Sequence, residues 1–248
     1  MELKVGTFNI QSGVDRKHYL ATKEVRKDCS LAANAIRDLG LDICGINEIN
    51  VGAESEGYIN QPKFIADQLG FHYAFAKAII RRDGKTEYGN ALVSRYPILS
   101  VKCIPIQLAE EKKVHGVGNY YEDRVLMCAE ILVNEQVITV MCAHFGLVKE
   151  EIELAIDTLK GCVDQCKTPL LTMGDYNLFP ESEHYARLCT FLTDTAVLLD
   201  SVQPTFPSEA PTRRIDYIFK NDAIKALSAY VPDVVASDHR PYVITIEV

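Results

Sequence analysis

Leu170-Leu171-Thr172-Met173-Gly174-Asp175-Tyr176-Asn177 runs a short apolar stretch straight into a glycine, an acid and an amide. An apolar run of this length reads as a buried strand. Gly, Asp and Asn beyond it are the residues that turn a chain most readily. A strand is a rigid platform, so Asp175 and Asn177 at its tip can be aimed accurately at a site. The same construction recurs along the chain. Asn9 closes an apolar strand over 3–10, Glu48 follows a buried strand over 42–47, and His144 follows Val140-Met141-Cys142-Ala143. Asp216 opens Tyr217-Ile218-Phe219, and Asp238-His239 precedes a final strand over 242–248.

Between these strands the pattern is helical. Val25, Cys29, Ala32, Ala33, Ile36 and Leu39 recur at helical spacing over 24–39, with Gly40 as the stop. Pro62 starts a short helix that Gly70 closes, and Ile152, Ala155, Ile156, Leu159 and Val163 form the inner face of a helix over 148–166. A further short helix is expected over 181–192. Strands follow one another over 71–106, with a turn at Arg82-Asp83-Gly84 and a break at Tyr96-Pro97. Strands over 124–133 and 137–143 flank a hairpin turn at Asn134-Glu135-Gln136, and two more lie over 215–219 and 226–231. The polar segment 107–123, with Gly116 and Gly118, reads as a long surface loop, and 203–211 as a Pro-rich one. Strand clusters interleaved with helices, without a linker, repeat or low-complexity tract, predict two packed sheets with helices outside in one domain, 1–248.

Composition bounds the partners. The 248 residues are 48% hydrophobic and 24% charged, the balance of an ordinary globular protein. A net charge of -8 argues against a partner held mainly by non-specific attraction to phosphates. A bound divalent ion would still reverse the sign of an acidic site locally. No signal peptide pattern and no apolar run of membrane-spanning length is visible, so a cytoplasmic location is expected. The eight cysteines sit mostly among apolar residues and form no CxxC pair, which favours reduced, buried thiols over disulfides or a zinc site.

Taken singly, each polar residue at a strand end has an ordinary explanation: Asn9 a turn, Glu48 a solvated acid, His144 a satisfied histidine, Asp238-His239 a local hydrogen bond. Together they are what hydrolysis of a phosphate ester requires. Magnesium takes hard oxygen ligands and usually only one or two carboxylates. A further Asp can deprotonate water, and histidines can donate to the charge developing on phosphorus.

The ordered motifs TFNIQSG, GINEI, YGNALVSRYPI, ITVMCAHFG, LTMGDYN, RRIDYIF and SDHRPYVITIEV resemble the endonuclease/exonuclease/phosphatase superfamily from Thr7 to Val248. The resemblance implies a four-layer α/β sandwich of two mainly antiparallel sheets, and a phosphoesterase dependent on magnesium, with manganese as a substitute. It implies Glu48 as principal metal ligand, Asn9 helping to place metal or phosphate, and Asp238 at the metal directly or through water. Asp175 would orient and deprotonate the attacking water, and Asn177 would fix the water or a phosphate oxygen. His144 and His239 would stabilise charge on the phosphate, with Asp216 holding the His239 ring. Arg124 resembles a family arginine near the phosphate, with a surface charge at a strand start the competing explanation. Asn90 falls in a motif that concerns phosphate or packing. Three departures bear on substrate: Gln11 stands where apurinic endonucleases carry an acid, Asn47 where many members carry Gln, and Asn50 where pancreatic-type deoxyribonucleases carry Arg.

Substrate choice is expected in the loops 51–60, 81–88, 107–123 and 203–214. Their basic residues Arg81, Arg82, Lys85, Lys112, Lys113, Arg213 and Arg214 could hold extra phosphates, and Tyr58, Tyr88, Tyr120 and Tyr121 could stack on a base or sugar. With no long basic groove and no tryptophan, a small or lipid-like phosphodiester or phosphomonoester is favoured over nucleic acid. A nuclease or repair endonuclease is the alternative, and a non-catalytic binding module a third reading. A monomer is the default.

Overall fold

The structure, a computed structural model, describes residues 1–57, 59–114 and 120–248. Gly116, Gly118 and Tyr58, singled out above, lie outside them. Two six-stranded sheets face each other. One contains β1 (Glu2–Asn9), β2 (Ile43–Val51), β3 (His72–Ile80), β4 (Glu87–Ser94), β11 (Lys225–Tyr230) and β12 (Tyr242–Glu247), in the order β11-β12-β1-β2-β4-β3. The other contains β5 (Ile98–Ile106), β6 (Arg124–Val133), β7 (Gln136–His144), β8 (Leu170–Asp175), β9 (Thr193–Asp194) and β10 (Asp216–Lys220), in the order β5-β6-β7-β8-β10-β9. Each sheet is antiparallel except for one central parallel pair, β1 with β2 and β7 with β8. A parallel pair needs a crossover long enough to return the chain, and helices supply it. The first crossover carries α1 (Arg16–Thr22) and α2 (Ser30–Asp38), the second α4 (Lys149–Gln165). The remaining helices are α3 (Gln61–Leu69), α5 (Glu183–Leu188) and α6 (Thr195–Leu198).

Three apolar clusters fill the spaces between layers. Val5, Ile43, Leu92, Met127, Val140 and Met173 meet between the sheets. Phe8, Ile36, Ile46, Ile65 and Val93 seal α2 and α3 onto the first sheet, and Met141, Ile156, Leu159, Tyr176 and Phe219 seal α4 onto the second. The result is the expected four-layer α/β sandwich.

Local differences have physical causes. The helix expected over 24–39 begins only at Ser30, because the Asp28 carboxylate accepts the Ser30 amide (3.0 Å) and fixes the start there. Residues before it run extended, bridging Lys27 to Val14, and leave Val25 67% exposed rather than on an inner face. The helix α1 was not visible in the periodicity because none of its residues is buried. The segment expected as one helix over 181–192 is helical only at Glu183–Leu188, and α6 follows the two-residue strand β9. The cysteines are free thiols, but Cys103 and Cys189 are exposed rather than buried. No helix among the described residues is long and apolar enough to cross a membrane.

Candidate functional site

The strand pairings place the polar strand ends side by side. In the second sheet His144 lies beside Asp175, and Asp175 beside Asp216. In the first sheet Asn9 lies beside Asn47. Both rows sit at the same end of the sandwich, and side chains join them.

Two backbone irregularities shape this end. Strand β2 does not stop at Glu48, as expected, but continues to Val51 through a bulge between Ile46 and Ile49, with Glu48 at φ 56. A bulge lets a strand redirect one side chain without losing its pairing, and bulges concentrate beside active sites. Here it turns the Glu48 carboxylate toward Asn9 and Asp175. Gly174 has φ +148, and a Cβ there would stand 1.8 Å from the Ala143 carbonyl oxygen, so no other residue fits before Asp175.

Asp175 is the hub. Its Oδ2 accepts from Asn9 Nδ2 (3.0 Å), its Oδ1 accepts from the Asn177 amide (3.0 Å), and its own amide donates to Asn47 Oδ1 (2.9 Å). Asn9 Nδ2 also donates to Glu48 Oε1 (3.0 Å), so one amide group links the two acids. The Asn9 oxygen accepts from the Gln11 amide (3.1 Å). Two imidazole Nε2 atoms, from His144 and His239, each stand 3.7 Å from the same Asp175 oxygen.

The ring nitrogens facing away decide what these imidazoles offer. Arg124 Nη1 lies 3.1 Å from His144 Nδ1. Arginine can only donate, so Nδ1 is the acceptor and the proton of the neutral ring sits on Nε2. Burial, then the Arg124 charge, holds the His144 pKa well below its usual value, which keeps the ring neutral. His239 Nδ1 lies 2.8 Å from Asp216 Oδ2, which also accepts from the Thr205 hydroxyl (2.5 Å). Burial lowers the His239 pKa, but Asp216 and Asp175 outweigh it and raise it, favouring the imidazolium. Both rings therefore aim an N–H at one point. Burial likewise pushes Asp175 above the ordinary carboxylate range.

The expected residues divide into those that line this point and those behind it. Asn9, Glu48, His144, Asp175, Asp216 and His239 converge. Asn177 donates through Nδ2 to the Phe145 carbonyl (3.1 Å) and holds the loop beyond β8. Asp238 stands close enough to Glu48 to raise its pKa, behind the larger effect of burial, but outside the tight groups of ligand atoms. Arg124 is no surface charge: it is 6% exposed, paired with Glu122 (2.8 Å) and bound to His144. Asn90 accepts from Asn47 Nδ2 (2.8 Å) and donates to the Val125 carbonyl (3.0 Å), a position bracing the sheets from behind.

Two residues matter more than their sequence signal suggested. Asn47, fully buried, also donates to the Ala143 carbonyl (2.9 Å), tying the two sheets together beneath Asp175. In the sequence it stood out only as an amide at the end of an apolar run, where many family members carry Gln. Thr205 carried none beyond its place in a Pro-rich loop.

Glu48, His144 and Asp175 bring one ligand atom each within 4.8 Å of one another, as do Asp175, Asp216 and His239. Within the first group Glu48 suits a hard cation: it offers carboxylate oxygens, it is half-buried rather than sealed, and burial together with Asp238 works against its negative charge, whereas His144, protonated on Nε2, offers that atom only as a donor. A cation with open positions for water and substrate would relieve that conflict.

Comparison with known proteins bears on the whole chain. The model of the Endonuclease/Exonuclease/phosphatase family matches residues 6–239. Among solved structures, an endonuclease/exonuclease/phosphatase from Beutenbergia cavernae is 20% identical, with a TM-score of 0.78 over 100% of this chain and 72% of that one. One from Bacteroides vulgatus is 18% identical, with a TM-score of 0.77 over 100% of this chain and 99% of that one. A mannosyl-6-phosphatase from Bacteroides thetaiotaomicron is 15% identical, with a TM-score of 0.76 over 99% of this chain and 100% of that one. At these identities the likeness is one of fold. No curated protein matches in sequence.

Proposed function

The chain belongs to the endonuclease/exonuclease/phosphatase family, and on that premise we propose that it hydrolyses a small or lipid-like phosphomonoester or phosphodiester with magnesium, manganese substituting. The observation that carries the reading is the pair of imidazole Nε2 atoms 3.7 Å from one oxygen of a buried acid, with Glu48 tied to that acid through Asn9. A phosphoryl group seated there has N–H donors on one side and a base beside its attacking water.

Glu48 would hold the metal, with Asp238 facing it through solvent and Asn9 steadying the group between them. When bound, the ion would draw charge from the phosphoryl oxygens and help to orient the substrate. Asp175 takes a proton from water as the water oxygen bonds to phosphorus, while the ester oxygen leaves on the opposite side. His144 and His239 donate their Nε2–H groups to the oxygens that gain charge. Arg124 keeps the proton of the neutral His144 ring on Nε2, Asp216 favours the imidazolium of His239, which carries an N–H at Nε2 as well as at Nδ1, and Asn177 holds the loop just beyond the base.

Three of the basic loop residues are already engaged within the protein. Arg214 is buried in a pair with Asp194, Lys113 is paired with Glu110, and Arg81 lies over the Tyr88 ring. Those partners favour a compact substrate over a duplex. Assay with magnesium against sugar phosphates, nucleotides, phospholipid headgroups and oligonucleotides tests the reading. Efficient duplex nicking without turnover of any small ester would overturn it.

A further inference from the structure

A cleft of about 340 Å³ opens directly beside Glu48, and its other walls come from three separate segments. Gln11 and Ser12 follow β1, Asn50 follows the β2 bulge, and Arg81 and Thr86 stand on the β3–β4 hairpin. Its volume lies in the range of about 300–1,000 Å³ usual for small-molecule sites.

Two independent features mark it as more than a gap between loops. The first is unmet hydrogen bonding. Among the described residues, Gln11 Oε1, Asn50 Oδ1 and Arg81 Nε have no partner, although each atom is buried, and Asn50 as a whole is 1% exposed. Buried polar atoms without partners are rare in proteins, and three belonging to one cleft wall call for a shared explanation. The second is backbone strain. Gln11 and Ser12 both adopt left-handed φ values, 48 and 54, just ahead of Gly13 at 76. Two consecutive non-glycine residues in this region cost energy and are held there by their surroundings. Gln61 Nε2 holds the Ser12 carbonyl (3.0 Å) and Arg81 Nη2 the Ser12 hydroxyl (3.2 Å).

We propose that this cleft is the leaving-group subsite, and that it takes a neutral, hydroxyl-rich group such as a sugar or polyol. The unmatched atoms are two acceptors and one donor, which alcohol groups satisfy because each hydroxyl both donates and accepts. Charge argues against a second phosphate: Lys27 is already paired with Glu56 (2.6 Å), which leaves Arg81 facing Glu48 and Asp83. A nucleobase would need an aromatic face, and Arg81 covers the Tyr88 ring at 3.9 Å. The inference rests on the phosphoesterase reading above and names the substrate class of that site.

The test compares hexose 6-phosphates and glycerol phosphate with p-nitrophenyl phosphate, or bis(p-nitrophenyl) phosphate if diesters are preferred, and with nucleoside monophosphates. Each is assayed with magnesium on the parent chain, Arg81→Met and Gln11→Ala. The expected result is turnover of the polyol esters, with kcat/KM on them falling about tenfold or more in either variant, the usual scale for a lost hydrogen bond to a charged or buried group. Turnover of the nitrophenyl ester should stay within about twofold. An equal loss on both ester types, turnover of the nitrophenyl ester without any polyol ester, or preference for nucleotides would each overturn the subsite while leaving the phosphoesterase reading intact. No turnover of any ester with magnesium or manganese would remove both.

Discussion

Replacing Asn47 with leucine tests whether the two sheets are joined beneath the site by hydrogen bonding rather than by apolar contact alone. The side chain is fully buried and makes three hydrogen bonds of 2.8–2.9 Å, to Asn90 Oδ1, the Ala143 carbonyl and the Asp175 amide. Leucine has a similar volume but pairs with none of them. A buried group left without its partner costs about 1–3 kcal/mol, so three give about 3–9 kcal/mol before relaxation. Entry of water and small shifts should bring the loss to about 3–5 kcal/mol, within the roughly 5–15 kcal/mol that holds a typical domain folded. The chain has no tryptophan, so urea unfolding is best followed by far-ultraviolet circular dichroism. Activity should fall further than the folded fraction does, because the Asp175 amide loses its anchor. A loss below about 1 kcal/mol with unchanged activity would refute the clamp.

Asp175→Asn should lower kcat by about 10²–10⁴, the usual contribution of a general base, without changing the magnesium concentration for half-maximal rate. Equal loss of metal affinity would reassign Asp175 as a ligand. Glu48→Gln should raise that magnesium concentration about tenfold or more, and activity titrated against the metal checks it. Arg214→Met should cost about 3–5 kcal/mol of stability by stranding the buried Asp194, and adding Asp194→Asn should recover part of it in the same urea assay.

How much of this could be read from residues alone depended on how local each signal was. The strand into Gly174-Asp175 was legible because apolar run, turn residues and acid are contiguous. The layers were legible because periodicity follows burial, as on the inner face of α4. The start of α2 was misplaced because Val25 and Leu39 keep helical spacing while the Asp28–Ser30 turn just ahead of the helix overrides it. The Glu48 bulge was hidden because extra residues in a strand leave no composition signal and depend on the partner strand β4. The role of Arg124 was undecided until the fold brought it against His144, twenty residues away. Asn47 acts through atoms 96 and 128 residues along the chain, a distance no spacing rule reaches, and Thr205 meets Asp216 across an irregular loop that has no periodicity to read.

The Asn9 bond to Asp175 joins positions 166 residues apart and crosses from one sheet to the other. Neither sheet carries the whole of the proposed site, so on that reading no fragment of the sandwich retains part of the chemistry. Turnover is then a sensor of global integrity: a partly opened molecule that keeps most of its secondary structure reads as inactive. For this chain an enzymatic assay reports the fraction of intact two-sheet assemblies, which a spectroscopic signal averaged over all strands does not.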